Sequence, residues 1–230
     1  GITEKIYLSL MELGIDVFTM GNHWKDKKDI FSLREKYNNI ILPQNLCDVS
    51  GVENVPAFYV ENKKKYVHVF NLMGQFAMKD TYKNPFQFLV NKKENYLDKV
   101  NSCSHVLIAD IHAEATSEKQ AIAWLYNGLF AALIGTHTHT PTFGARLTEQ
   151  GTAFVSDVGM TGSYDSIIGM NKEHILKKFC SSSQGRVPLE VASEDIWLCA
   201  FMVDVSLTTN RTTAFAQIQC RLDGDSCEQN

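Results

Sequence analysis

Three apolar runs in the chain each stop on residues that bind metals. Val17-Phe18-Thr19-Met20 leads into Gly21-Asn22-His23, Val106-Leu107-Ile108-Ala109 into Asp110-Ile111-His112, and Ala131-Ala132-Leu133-Ile134 into Gly135-Thr136-His137-Thr138-His139. His105 is a fifth histidine beside these runs. Imidazole nitrogens suit iron, zinc and related divalent ions. In an open α/β sheet, ligands collect beyond the carboxyl ends of the strands, so separate strand ends can bring distant residues around one crevice. The pattern points to a metal-dependent enzyme.

Each residue also has a plainer reading. His137 and His139 are two apart just past a strand, and in an extended backbone residues i and i+2 face the same side, so both rings would reach one site. The plainer reading is a pair of exposed loop histidines. His112 taken alone reads as a satisfied structural histidine; with the downstream pair it reads as a ligand. Asp110 and Glu114 suit the role of accepting the outer ring N–H of a ligating histidine, with direct ligation as the alternative. Asn22 offers a neutral amide oxygen, and His23 points across the site toward substrate. Gly-Asn is also common turn chemistry.

The elements that must position these residues alternate. Ile6, Leu10 and Leu13 recur at helical spacing after Thr3, an N-cap, and Gly14 is placed to end that helix. A strand at 17–20, a charged helix at 26–37 and a short strand at 40–42 ending at Pro43 follow. Residues 57–60 and 66–70 flank a polar 61–65 and predict a hairpin. After an irregular stretch opened by Asn84-Pro85-Phe86, residues 88–100 predict a solvated helix leading into a strand at 105–109. Ser117 with Gln120 fits a capping box for a helix over 118–127, stopped by Gly128. Strands at 131–134 and 154–156, a glycine-rich loop over 159–164, and a closing hairpin of 196–205 with 213–220 complete the chain. Alternation early and antiparallel strands late fit a mixed-sheet α/β sandwich.

A chain of 230 residues can bury a full core as a single domain, 1–230. Its formal charge of -4 and pI near 6.0 argue against stable binding to a nucleic-acid polymer, while leaving a small anionic substrate held by metal fully compatible. No stretch has the length of a membrane span and the amino end shows no basic region followed by an apolar run and a small-residue cleavage site, so no membrane partner and a cytoplasmic location are expected. Cys47, Cys103, Cys180, Cys199, Cys220 and Cys227 lack C-x-x-C spacing and read as reduced thiols, Cys220 with Cys227 being the one pair to check for a bridge. The 57–70 hairpin offers an edge for a homo-oligomer.

The order of the motifs, Gly-Asn-His, then one histidine, then Gly-x-His-x-His, resembles the second half of the calcineurin-like metallophosphoesterase signature. Met20-Gly21-Asn22-His23, Asp110-Ile111-His112-Ala113-Glu114-Ala115-Thr116-Ser117-Glu118-Lys119, Gly135-Thr136-His137-Thr138-His139 and Asp157-Val158-Gly159-Met160-Thr161-Gly162 are similar to blocks of the YmdB-like bacterial phosphodiesterases, over nearly the whole chain. The resemblance implies a four-layer α/β/β/α sandwich with mixed sheets. It further implies two divalent or mixed-valence metal ions, iron first and manganese or zinc also suited, and hydrolysis of small phosphodiesters such as 2′,3′-cyclic nucleotides. By motif match, Asn22, His112 and His137 bind one metal and His139 the other, and His23 is the proton donor to the leaving oxygen.

Two departures stand out. The family's Gly-Asn-His continues Thr-Trp-Asp, whereas this chain has Trp24-Lys25-Asp26. The family also opens with an aspartate-bearing strand and a Gly-Glu-Asn segment whose glutamate bridges the metals, and Gly1 matches a point just after it. Two divalent ions about 4 Å apart repel unless anionic oxygens lie between them, so a segment upstream of Gly1 is expected.

The expected mechanism is attack by a metal-bound hydroxide, with His23 protonating the departing alkoxide. The same clamp serves phosphomonoesters, so that activity stays open. A metal-dependent amidohydrolase also uses a His-x-His pair, but at its first strand and in an eightfold alternation that this chain lacks. A non-catalytic nucleotide- or protein-binding regulatory relative is the third reading.

Overall fold

The computed structural model describes all residues except 48, 50, 53, 79–81, 98–103, 181–188, 223–226 and 230, and for 94, 95 and 227–229 the backbone alone. Helix α1 (Glu4–Glu12) starts on Thr3, whose hydroxyl accepts from the Ile6 amide, and gives way to Gly14 at φ 85°. Strand β1 (Phe18–Thr19), helix α2 (Asp29–Lys36) and strand β2 (Ile40–Ile41) form a parallel βαβ unit. Helix α2 begins three residues later than the charge pattern suggests, because the turns and bends that open at Asn22 continue through Lys28.

The main sheet has six strands in the order β3-β4-β5-β6-β8-β7. They are β3 (Ala57–Val60), β4 (Lys65–Met73), β5 (His105–His112), β6 (Ala132–Thr136), β7 (Arg146–Leu147) and β8 (Ala153–Val155). Neighbours from β4 through β5 and β6 to β8 run parallel, and the edge strands β3 and β7 are antiparallel. Parallel strands covered on both faces read as continuous apolar runs, which is why β4, β5 and β6 are legible in the sequence. Strands β5 and β6 run further than expected, so His112 is the last residue of a strand rather than a loop residue.

Helices α3 (Pro85–Lys92) and α4 (Thr116–Leu125) cover one face of this sheet. Phe88 and Leu89 from α3 and Ile122 and Ala123 from α4 join Phe70, Leu72, Leu107, Ile111, Leu133 and Phe154 in one buried cluster. Helix α3 starts earlier than expected: Asn84 Oδ1 accepts from the amides of Phe86 and Gln87, and Pro85 sits in the first turn, where its missing N–H costs nothing. The helix passes into a π-turn, Lys93–Leu97, and the end of the expected 88–100 helix lies outside the described residues. The Ser117 and Gln120 box does not form, since α4 opens at Thr116 after an extended Ala115 and has no side-chain cap. A second cluster joins Ile2 and Tyr7, Trp24, the α2 residues Ile30 and Leu33, Ile40 and Met73, and so fixes α1 and β1 beside the main sheet.

A four-stranded antiparallel sheet follows in the order β12-β11-β10-β9. It comprises β9 (Gly162–Ser163), β10 (Ile196–Val205), β11 (Thr212–Arg221) and β12 (Cys227–Gln229). Its hairpin is the expected one. Thr212 Oγ1 donates to Ala131 O at 2.8 Å and Gln217 Nε2 to Thr142 O at 3.0 Å, tying it to the main sheet. Helix α5 (Lys172–Cys180) is an element the sequence patterns do not predict; Asn171 Oδ1 caps it by accepting from Glu173 and His174. The architecture is a mixed-sheet α/β sandwich. Cys47, Cys180 and Cys199 are free thiols. Cys220, of the one pair singled out to check for a bridge, is disulfide-bonded, on a strand whose register sets it against Cys227. Among the described residues no helix is long and apolar enough to cross a membrane.

At the opposite end of β4 and β5 from the strand-end histidines, His68 Nδ1 meets the Tyr96 hydroxyl and His68 Nε2 lies 2.7 Å from His105 Nδ1. Burial, helped by His105, pushes the His68 imidazole down to about 4 from 6.5. The unfolded chain therefore binds a proton between these values that the folded one refuses, and stability is lost as pH falls through that window. Thermal unfolding of His68→Gln against the parent from pH 7 to pH 4 is expected to show a shallower acid decline. Parallel declines would remove His68 as a source.

Candidate active site

Strands β1, β5 and β6 end side by side. The Asn22 Oδ1 and His112 Nε2 atoms are 3.0 Å apart, and His112 Nε2 and His137 Nδ1 are 3.1 Å apart. Gly21 makes this approach feasible: a Cβ there would sit 2.4 Å from the His112 ring. The spacing of these atoms is that of neighbouring ligands each about 2.1 Å from one ion and at right angles to one another, about 3.0 Å.

Hydrogen bonds on the far sides of the rings decide where the protons are. Thr136 Oγ1 donates its single proton to Asp110 Oδ1 at 2.7 Å, so at 2.9 Å from His112 Nδ1 it accepts. His112 therefore carries its proton on Nδ1 and a lone pair on Nε2. His137 Nε2 lies 3.1 Å from Glu114 Oε2 and donates to it, which leaves a lone pair on Nδ1. The Asn22 amide oxygen and the His137 Nδ1 lone pair thus both face the lone pair of His112 Nε2, with no proton between them. Such an arrangement is repulsive until a cation lies among them, and neutral imidazoles held by outer carboxylates are what a metal requires. Burial, followed by the neighbouring His137, pushes His112 down to about 3, and burial also lowers His137, which disfavours the ring protons that would compete with a metal. Burial raises the Asp110 carboxyl against the hydroxyl groups that donate to it.

The donor set fits one cation. It rests on an amide oxygen and two imidazoles; no group of three His, Cys, Asp or Glu side chains is arranged to hold an ion among the described residues. His139 is not part of the triangle. Both His137, at φ 108°, and His139, at φ 66°, leave the extended region, so the two-residue alternation that would aim them together does not apply. His139 Nδ1 instead donates to Ile168 O at 2.8 Å, which leaves Nε2 as its lone-pair atom. Among the described residues no group of three His, Cys, Asp or Glu side chains gathers around His139.

The triangle, His23, Glu114 and His139 line one cleft of about 920 Å³, whose other wall is apolar, with Ile6, Leu10, Ile168 and Phe179. His23 is 73% exposed and its Nδ1 lies 2.8 Å from Asp26 Oδ2. The hydrogen bond to His23 holds the Asp26 carboxyl below its ordinary value. An ionised Asp26 accepts the hydrogen bond from His23 Nδ1–H and leaves Nε2 as the atom available to a substrate. Sequence reasoning passed over Asp26 and Thr136. The three-residue step from His23 to Asp26 was a usable signal; nothing in the sequence marks Thr136 as the link between Asp110 and His112.

Solved structures share this fold. A hypothetical protein from Thermus thermophilus superposes with a TM-score of 0.84 at 29% identity, covering 96% of this chain and 82% of that one. A novel phosphatase from Mycoplasma pneumoniae gives 0.82 at 30% identity, over 96% and 77%. The sandwich is thus of the kind found in phosphoester hydrolases, as the motif order implied. More narrowly, the chain belongs to the YmdB-like family, whose profile matches residues 1–218. It is 36% identical over 218 residues to the 2′,3′-cyclic-nucleotide 2′-phosphodiesterase of Bacillus subtilis strain 168, covering 95% of this chain and 79% of that protein.

Proposed function

We propose that the protein is a metal-dependent phosphodiesterase of the cytoplasm that hydrolyses small phosphodiesters, 2′,3′-cyclic nucleotides among them. The observation that carries this reading is the meeting of lone pairs from Asn22 and His137 on that of His112, which asks for a cation. The family relationship and the activity named for the Bacillus subtilis relative support the ester chemistry. Nitrogen and amide-oxygen donors suit iron, manganese or zinc. When bound, such an ion supplies Lewis-acid polarisation of a phosphoryl oxygen.

The remaining chemistry belongs to the chain. Asp26 accepts from Nδ1–H and so orients and stabilises the imidazolium of His23, which gives its Nε2 proton to the departing oxygen and is left neutral. Asp110, through Thr136, and Glu114 fix the tautomers of His112 and His137. The cleft's apolar wall limits water around the ester. No step is assigned to a second ion.

The test uses the full reading frame that encodes this chain. Metal content is measured by elemental analysis, and hydrolysis of bis(p-nitrophenyl) phosphate, 2′,3′-cyclic AMP and p-nitrophenyl phosphate is followed with Mn²⁺ or Fe²⁺ and with chelator. Diester turnover that requires metal is expected to exceed monoester turnover. Full turnover in chelator overturns metal dependence, and bound metal without hydrolysis of any ester establishes a binding-only relative instead.

A further inference from the structure

The loop that carries His137 and His139 hangs on two buried charges. Lys119, on α4, and Asp157, just past β8, are each 1% exposed, with Nζ and Oδ2 3.1 Å apart. Lys119 Nζ also donates to Thr136 O at 2.9 Å, and Thr138 N donates to Asp157 Oδ2 at 2.9 Å. The pair therefore holds the carbonyl before His137 and the amide after it.

Asp157 is itself fixed from several sides. Its Oδ1 accepts from Gly159 N at 2.9 Å, its amide donates to Thr142 Oγ1 at 2.8 Å, and its carbonyl accepts from Thr142 N at 3.0 Å. Gly135 keeps the corridor open for the lysine: a Cβ there would meet Ser156 O at 1.8 Å and Lys119 Cδ at 2.9 Å.

A buried ion pair is a poor source of stability, because stripping water from each ion costs several kcal/mol and an apolar pair of equal volume does as well or better. What this pair does is geometric. His137 and His139 occupy positive-φ backbone, which is strained for residues with a side chain, and such conformations persist only where the surroundings enforce them. The enforcing bonds here fall on the peptide groups that flank His137.

We propose that Lys119 and Asp157 are positioning residues that clamp the 136–138 backbone so that His137 Nδ1 faces Asn22 and His112. The inference rests on the cation-site reading for its consequence, but the clamp itself is measured without metal. Two variants test it: Lys119→Met with Asp157→Leu, which leaves neither charge alone, and Asp157→Asn. In metal-free wild type, ¹⁵N shifts are expected to show His137 in one tautomer, protonated on Nε2, and the Thr138 amide to exchange slowly. Both variants are expected to unfold cooperatively, to show averaged His137 nitrogen shifts, and to bind Mn²⁺ about 10- to 100-fold more weakly, the scale of lost outer-shell partners.

Folded variants with wild-type His137 shifts and Mn²⁺ affinity overturn the clamp, as does fast exchange of Thr138 in the wild type. That last measurement decides the matter if neither variant folds. A wild type that binds no Mn²⁺ yet loses its His137 tautomer in the variants sinks the cation reading and keeps the clamp.

Discussion

His112→Ala is expected to purify without metal and to hydrolyse bis(p-nitrophenyl) phosphate at least ~100-fold more slowly, the rate equivalent of the several kcal/mol of charge stabilisation a bound metal supplies. His112 Nε2 is the vertex shared by both short contacts of the donor triangle, to Asn22 and to His137. Its loss leaves two donors that no longer share a neighbour. Gly21→Ala provides the steric counterpart. Gly21 has no left-handed φ to lose, so alanine is tolerated by the backbone there. The new methyl would stand 2.4 Å from the ring carbon Cε1 and 2.5 Å from Nε2, so the imidazole must swing away while every donor remains in the sequence. Weakened metal binding in Gly21→Ala with an unchanged circular dichroism spectrum is the expected result. Wild-type metal content in both variants would show that these atoms do not hold the ion.

Much of this site was legible because buried parallel strands write themselves as unbroken apolar runs, and the residues that stop those runs are the ones at the strand ends. Asn22, His112 and His137 meet for that reason. The aim of His139 was not legible. Two-residue alternation presupposes extended backbone, and the φ values of His137 and His139 break it. Nothing within the Gly135 to His139 stretch announces that break, since the groups that hold it, Lys119 and Asp157, lie 18 residues upstream and 20 downstream of His137. Lys119 reads in sequence as one more solvated charge on a helix, yet it is buried. Helices α3 and α5 were misplaced or missed for a simpler cause: Asn84 and Asn171 are N-caps, and an asparagine beside a proline or a lysine reads equally well as a turn.

His23→Ala is expected to leave the metal in place and to slow the reaction in a way that depends on the leaving group. The His23 ring bonds to Asp26, and no short contact joins it to the donor triangle among the described residues, so its removal takes no ligand away. A general acid contributes about 10²–10⁴-fold when the departing oxygen is a poor leaving group. The alkoxide of a ribose ring is such a group and needs its proton, so turnover of 2′,3′-cyclic AMP should fall by about 100-fold or more. Nitrophenolate leaves as a stable anion, so bis(p-nitrophenyl) phosphate should be hydrolysed at close to the parent rate. Asp26→Asn, which frees the ring to rotate without removing it, should show the same preference at smaller amplitude. Equal losses on both esters would mean that His23 binds the phosphoryl group rather than protonating the leaving oxygen, and undiminished hydrolysis of the cyclic nucleotide would take it out of the mechanism altogether.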